Sequence, residues 1–295
     1  MPGTEIKTVI NMLRANPMME GEVLEMRAGM NAATAVAPPP ENATIQIVDA
    51  GGAPAEWTDA EGVSGDAAFV YLHGGGYTMG NLDSHRNLVA GLSRAAGIRA
   101  LSVDYGLAPE NPFPKAVEDA VDAVKYVHAQ GIAPNRVIVA GDSAGGGLTA
   151  ATLISLRDRG IAQPAAGVLI SPWLDLTQSG ATMESHAAAD PMVSGALLGK
   201  CAAAYLAGQD ARTPLASPLF ADLTGLPPLL IHVGTAEVLL DDSRRFHAAA
   251  SKAGVDSILE EWDEMIHVWH TFSAMLPEAQ QAVDRIGAFV KERLG

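Results

Sequence analysis

The stretch Arg136-Val-Ile-Val-Ala-Gly141-Asp142-Ser143-Ala144-Gly145, followed by GGLTAATLISLRDR, decides the fold of this chain. RVIVA has the apolar, β-branched composition of a short buried strand, and the residues after Gly145 have the pattern of a helix. A serine between a strand and a helix sits on a tight turn that exposes its hydroxyl oxygen. Gly141 and Gly145 supply the small residues that such a turn needs. The stretch therefore predicts an exposed, nucleophilic Ser143.

Working outward, short apolar runs alternate with amphipathic helical patterns. This rhythm is typical of an α/β fold with a mostly parallel central sheet and helices on both faces. Loops at the strand ends are where such proteins place their ligands. The predicted strands are 44–48, 67–72, 99–103, 136–140, 166–171, 229–233 and 257–262, and the predicted helices are 82–96, 114–129, 146–157 and 241–254.

Two segments depart from this rhythm. Residues 5–35 have the apolar spacing of two helices, with a break near Asn16–Pro17, and residues 174–217 are rich in Ala, Met, Gly and Pro around a helix-like stretch at 193–206. We interpret the second segment as an insertion that packs with the N-terminal helices over the active edge of the sheet. The whole chain of 295 residues is then one domain, with a helical cap formed by about 1–42 and 176–216.

The composition narrows the function classes. A net charge of −15 disfavours nucleic acid and anionic membranes as partners. One cysteine, Cys201, permits neither an intrachain disulfide nor a Cys-based metal site. The N-terminus lacks the pattern of a secretion signal, and no apolar run is long enough to span a membrane. We expect a soluble cytoplasmic protein without a cofactor or metal.

A second motif, His73-Gly74-Gly75-Gly76, follows the predicted strand 67–72. Consecutive glycines let backbone N–H groups face a ligand, such as the oxyanion that forms when an ester carbonyl is attacked. No Gly-Lys-Ser/Thr follows, which excludes a P-loop, and the glycines miss the dinucleotide-binding spacing. A plain turn remains the alternative. We expect His73 to hold this loop rather than to take part in catalysis.

A serine nucleophile needs a base and a carboxylate that orients it. His267 follows a late predicted strand and lies in a loop, which makes it the leading base, while His85 and His186 also fall in loops and stay open as alternatives. Glu237 is the first acid after the strand 229–233, with Asp241 and Asp242 close behind. The order of nucleophile, acid and histidine is the one that this fold uses. His267 and His270 lack the further ligand that a metal site requires.

Taken together, these motifs resemble the hormone-sensitive-lipase-like family of bacterial esterases, an α/β-hydrolase family. The resemblance runs from about residue 67 to 289 and includes the HGGG motif, the GDSAG motif and a stretch at 105–116 that looks like the family's YxLAPExxFPAA. The N-terminal helices look like the family's cap. A departure occurs at Glu237, where most of the family has Asp, and this leaves Asp241 as an alternative acid.

The resemblance implies a carboxylesterase that hydrolyses short- to medium-chain acyl esters through an acyl-enzyme. It implies Ser143 as nucleophile, His267 as base and Glu237 as orienting acid, with the N–H groups of Gly74, Gly75 and Ala144 as the oxyanion hole. It also implies a homodimer. A related serine hydrolase, such as an amidase or thioesterase, and a non-catalytic ligand-binding protein on the same fold are the alternatives.

Overall fold

Eight strands form a single sheet in the computed structural model, which describes residues 3–15, 21–35 and 38–295. The strands are β1 (Ala43–Asp49), β2 (Pro54–Ala60), β3 (Ser64–Leu72), β4 (Ile98–Val103), β5 (Val137–Asp142), β6 (Ala166–Ile170), β7 (Leu229–Gly234) and β8 (Ser257–Trp262). The helices are α1 (Thr4–Ala15), α2 (Val23–Thr34), α3 (Leu82–Ala96), α4 (Lys115–Ala129), α5 (Ala144–Asp158), α6 (Thr182–Ser185), α7 (Gly195–Leu206), α8 (Leu240–Lys252) and α9 (Pro277–Leu294).

The strand order is β1-β2-β4-β3-β5-β6-β7-β8. β2 runs antiparallel to both β1 and β4, and every other pair of neighbours is parallel. The predicted mostly parallel sheet is thereby confirmed. Because β5, β6 and β7 lie side by side, the loops that follow them open at the same edge of the sheet.

Alternate residues of β3 feed two separate hydrophobic layers, as the two-residue period of a strand requires. Phe69 and Tyr71 pack with residues of α3 and α9 on one face. Val70 and Leu72 pack with residues of α4, α5 and α8 on the other. Helices therefore cover both faces, and the sheet is a rigid base for the loops at its edge.

The residue pattern does not predict β2, because a buried ion pair interrupts the apolar character of this strand. Glu56, in the middle of β2, is 1% exposed and accepts two hydrogen bonds from Arg86 of α3, at 2.8 and 2.6 Å. A carboxylate in this position is compatible with burial only when it is paired. The partner is 30 residues away in the chain, so local periodicity does not reveal it.

The two segments that interrupt the alternation of strands and helices, residues 5–35 and 174–217, contact each other. Arg14 of α1 donates to the Ala188 carbonyl at 3.0 Å, and Lys200 of α7 donates to the Gly21 carbonyl at 2.7 Å. Ile6 and Val9 of α1 pack against the chain that follows β8. The predicted break near Asn16–Pro17 lies outside the described residues. Across the described ranges, no helix has the length and apolarity needed to cross a membrane.

Candidate active site

Ser143 occupies the single residue between β5 and α5. Its φ of +54° and ψ of −121° are unusual for a residue with a side chain, and this conformation turns the hydroxyl out of the strand. A Cβ on Gly145 would lie 1.9 Å from the Leu72 carbonyl oxygen, and one on Gly141 would lie 2.4 Å from the Gly145 carbonyl oxygen. The structure therefore requires glycine at both positions, as the motif predicted.

Asp142, next to Ser143, ties this turn to the glycine-rich loop. Its buried carboxylate accepts hydrogen bonds from the Tyr71 hydroxyl at 2.6 Å and the Gly74 N–H at 3.1 Å, and it pairs with His85 Nε2 at 3.3 Å. Burial alone would raise the pKa of Asp142, but His85 and Tyr71 outweigh it and lower this pKa to about 2. Asp142 is thus an ionised structural anchor between three elements.

The expectation for Gly74 does not fit this geometry. Its N–H is already given to Asp142, and Gly74 does not line the cavity in front of Ser143, whereas Gly75 and Gly76 do. Gly75 and Gly76 have φ of +115° and +62°, which only glycine adopts without strain at such a turn. The geometry therefore does not support Gly74 as an oxyanion donor, and the candidate donors of this loop are Gly75 and Gly76.

His73 holds the loop from behind. Its Nδ1 lies 2.7 Å from the Gly74 carbonyl oxygen, and its ring stacks on Tyr105 with 4.4 Å between centroids. Burial, together with the nearby His85, lowers the pKa of His73 to about 4. A neutral, buried ring in this position agrees with the structural role expected for His73.

His267 and Glu237 form a buried pair at the same edge of the sheet. Nδ1 of His267 lies 2.9 Å from Oε2 of Glu237, and the two residues are 4% and 0% exposed. Burial opposes protonation of His267, but the hydrogen bond and negative charge of Glu237 prevail and raise the pKa of His267 above 6.5. The pair has the geometry of a base and its orienting acid.

The second oxygen of Glu237 is also fixed. Oε1 accepts the Gly234 N–H at 2.6 Å and the Ser171 hydroxyl at 2.8 Å. Sequence reasoning missed Ser171, although it stands at the end of a predicted strand beside the one that carries the nucleophile. Its position at the carboxyl end of this strand could have identified Ser171 as a residue near the site.

The alternative acids do not contact a histidine, and the alternative bases do not contact Glu237. Asp241 accepts the Ala181 N–H at 3.0 Å, and Asp242 accepts the N–H groups of Leu174 and Asp175, at 2.9 and 3.0 Å. Neither pairs with a histidine. His186 lies beside its neighbour Ser185 in the insertion. His85 belongs to α3 and not to a loop as expected; it lies against Asp142 and lines the cavity in front of Ser143.

His270, three residues after His267, contacts His232 at 3.1 Å instead of joining the pair. No group of His, Cys, Asp and Glu side chains suited to a metal ion occurs within residues 3–15, 21–35 and 38–295.

A cavity of about 310 Å³ joins these parts. Ser143, His267, Gly75 and Gly76 lie on its wall, and the other polar lining residues are Ser84, His85, Asp142 and Thr271. The rest of the lining is apolar. These apolar residues come from the N-terminal helices (Met12, Leu13, Met30), from the insertion (Met192, Val193, Leu197, Leu198, Cys201) and from Met79, Val268 and Phe272. The cavity thus has one polar, reactive wall and an apolar interior, which is the usual composition of a small-molecule site.

The chain matches a family described as having the alpha/beta hydrolase fold over residues 69–271. It belongs to the α/β-hydrolase family. An acetyl-hydrolase of Streptomyces hygroscopicus is 49% identical over 249 residues, which are 84% of this chain and 83% of that protein.

Solved α/β-hydrolase structures superpose on nearly the whole chain. An esterase from the bacterial hormone-sensitive lipase family has a TM-score of 0.96 and 44% identity, with 100% of both chains covered. EstE5, in a crystal soaked with p-nitrophenyl butyrate, has a TM-score of 0.95 and 48% identity, with 99% of both chains covered. The resemblance to the hormone-sensitive-lipase-like branch of the α/β hydrolases is therefore confirmed.

Proposed function

We propose that this protein is a carboxylesterase that hydrolyses short- to medium-chain acyl esters with Ser143, His267 and Glu237 as its catalytic triad. One observation carries the proposal: His267, paired with the buried Glu237 at 2.9 Å, lines the same cavity as a serine on a strand-to-helix turn. The chain is a carboxylic-ester hydrolase, in keeping with its similarity to proteins named acetyl-hydrolase and esterase.

Each step of the reaction has a residue to perform it. His267 removes the proton of Ser143 as the hydroxyl oxygen attacks the ester carbonyl, and Glu237 stabilises the imidazolium that forms. His267 then gives this proton to the departing alcohol, and the acyl group remains bound to Ser143. A water molecule activated by the same histidine releases the acid and restores Ser143.

The oxyanion of the tetrahedral intermediate binds to the N–H groups of Gly75, Gly76 and Ala144. Within the described residues, none of these three N–H groups has a hydrogen-bond acceptor, and Gly75 and Gly76 line the cavity. Ala144 is the first residue of α5, where the N–H groups lack partners and the helix dipole favours negative charge. In a site of this kind the loss of one donor costs about 2.7–4 kcal/mol of transition-state stabilisation.

The size and chemistry of the cavity favour small, neutral esters. A cavity of about 310 Å³ with a mostly apolar lining suits a short or medium acyl chain better than a long one. The net charge of −15 disfavours anionic substrates. We propose further that residues about 1–42 and 176–216 act as a cap over this cavity, and that the protein is a cytoplasmic homodimer.

Matched substrates distinguish ester hydrolysis from amide and thioester hydrolysis. p-Nitrophenyl esters from C2 to C12, an anilide with the preferred acyl group and the corresponding thioester should be compared by kcat/KM for the wild type and Ser143→Ala. The proposal predicts the highest kcat/KM for esters of short or medium chains and no turnover by Ser143→Ala. A preference for the anilide or thioester would identify an amidase or thioesterase, and a folded wild type without turnover would indicate a ligand-binding protein.

A further inference from the structure

The chain segments that bear the acid and the base meet at one buried hydroxyl. Ser171 stands directly after β6 and has no exposed surface. Its Oγ donates to Oε1 of Glu237 at 2.8 Å and accepts the N–H of Val268 at 3.1 Å. Val268 follows the base His267 in the chain, so a single oxygen atom bridges the acid loop and the base loop.

The backbone of Ser171 is held in an unfavourable conformation to present this hydroxyl. Its φ is +45°, a region that residues with a Cβ avoid. Its N–H donates to the His232 carbonyl of β7 at 2.7 Å, which ties it to the strand that leads to Glu237. Strain of this kind persists where surrounding contacts impose it, and it is concentrated at functional sites.

We propose that Ser171 is a positioning residue for the reaction, which fixes the Glu237 carboxylate and the His267 loop relative to each other. This inference rests on the triad proposed above. With Oε1 held by Ser171 and Gly234, Oε2 is the oxygen left to face His267 Nδ1. The hydroxyl does not line the cavity, so it acts on the reaction through Glu237 and His267 and not through the substrate.

Solvent does not readily replace this hydroxyl. In a Ser171→Ala variant the missing atom leaves a void smaller than a water molecule, and the carboxylate oxygen and the Val268 N–H each lose a partner. Glu237 then has less to fix its orientation, and the base loop loses one of its anchors. Small displacements of catalytic groups have large effects on rate, so the loss should appear in kcat.

The test compares Ser171→Ala and Ser171→Gly with the wild type, using the preferred p-nitrophenyl ester. Glycine adopts the φ of +45° without strain, so Ser171→Gly removes the hydroxyl while suiting the backbone even if the alanine variant folds poorly. We expect kcat to fall about 10- to 100-fold in both variants, with KM changed less than about threefold. Ser155→Ala is the matched control, because Ser155 is a buried serine of α5 whose hydroxyl has no partner in the described part of the chain.

A double-mutant cycle separates positioning from general support of the fold. Because Ser171 contacts both Glu237 and the His267 loop, the loss of kcat in the Ser171→Gly/Glu237→Ala variant should be clearly smaller than the product of the two single losses. Losses that multiply, or folded Ser171 variants with the kcat of the wild type, would overturn the inference. Ser143→Ala is measured alongside. If it retains turnover, the proposed function fails; if it is inactive while the Ser171 variants have the kcat of the wild type, only the role of Ser171 is refuted.

Discussion

Replacing Glu237 by glutamine changes one atom and should reverse the hydrogen bonding of the base. The Gly234 N–H points at the Oε1 position from 2.6 Å and can only donate, so the glutamine oxygen must take that position. The amide NH₂ group then faces His267 Nδ1, 2.9 Å away. Nδ1 must become an acceptor, which moves the ring proton to Nε2. A protonated Nε2 does not accept the proton of Ser143.

The size of the effect follows from this tautomer. In serine proteases the corresponding acid-to-amide change lowers kcat about 10⁴-fold with the geometry intact. We expect a loss of about 10³- to 10⁴-fold here, which corresponds to about 4–5.5 kcal/mol in activation free energy. KM should change little, because Glu237 is fully buried and lies outside the cavity lining.

The assay is the initial rate of p-nitrophenyl butyrate hydrolysis over a substrate range, with the fold checked by circular dichroism. Asp241→Asn is the control, since this nearby acid accepts the Ala181 N–H and not a histidine. It should keep kcat within about twofold of the wild type, as substitutions away from a site usually do. Retention of more than a tenth of kcat by Glu237→Gln, or a larger loss in Asp241→Asn, would refute the assignment of the acid.

Three further outcomes are expected. Glu237 raises the pKa of His267 above 6.5, and the base must be neutral to act. As the pH is lowered, kcat/KM should therefore fall with a midpoint above pH 6.5, and a midpoint at or below 6.5 would contradict this. Burial raises the pKa of Asp242 to about 7, so the folded protein retains a proton that the unfolded chain loses near pH 4, and stability from this group decreases as pH rises from 4 to 7. The free energy of unfolding of Asp242→Asn, measured with denaturant, should therefore rise relative to that of the wild type as the pH increases from 4 to 8, by up to about 4 kcal/mol. A difference that does not change with pH would disprove this. Gly145→Ala should destabilise the fold by about 1–3 kcal/mol and abolish most turnover, because its methyl group overlaps the Leu72 carbonyl, and an active, stable variant would contradict that.

The sequence predicted those parts of the fold and site that depend on residues close together in the chain. The strand, tight turn and helix around Ser143 are encoded in consecutive residues, and the GGG loop likewise predicts backbone that faces a ligand. The position of His267 after a late strand placed it at the correct edge of the sheet, since the loops after parallel strands meet there.

Long-range contacts decided what sequence reasoning missed. The N–H of Gly74 donates to Asp142, 68 residues later, and nothing within the motif shows this. The role of Ser171 depends on contacts 66 and 97 residues away. Glu56 of β2 likewise depends on a distant partner, Arg86 of α3. In each case a polar group is buried, and its partner comes from another part of the fold.

The most direct test of the account is to identify the residue that becomes acylated. The protein should be mixed briefly with p-nitrophenyl butyrate, quenched in acid and analysed by mass spectrometry after digestion, with Ser143→Ala and His267→Ala treated alike. We predict a butyryl group on Ser143 in the wild type and no adduct in Ser143→Ala. An acyl group on another residue in the quenched wild type, or ester turnover by Ser143→Ala, would contradict the proposed mechanism.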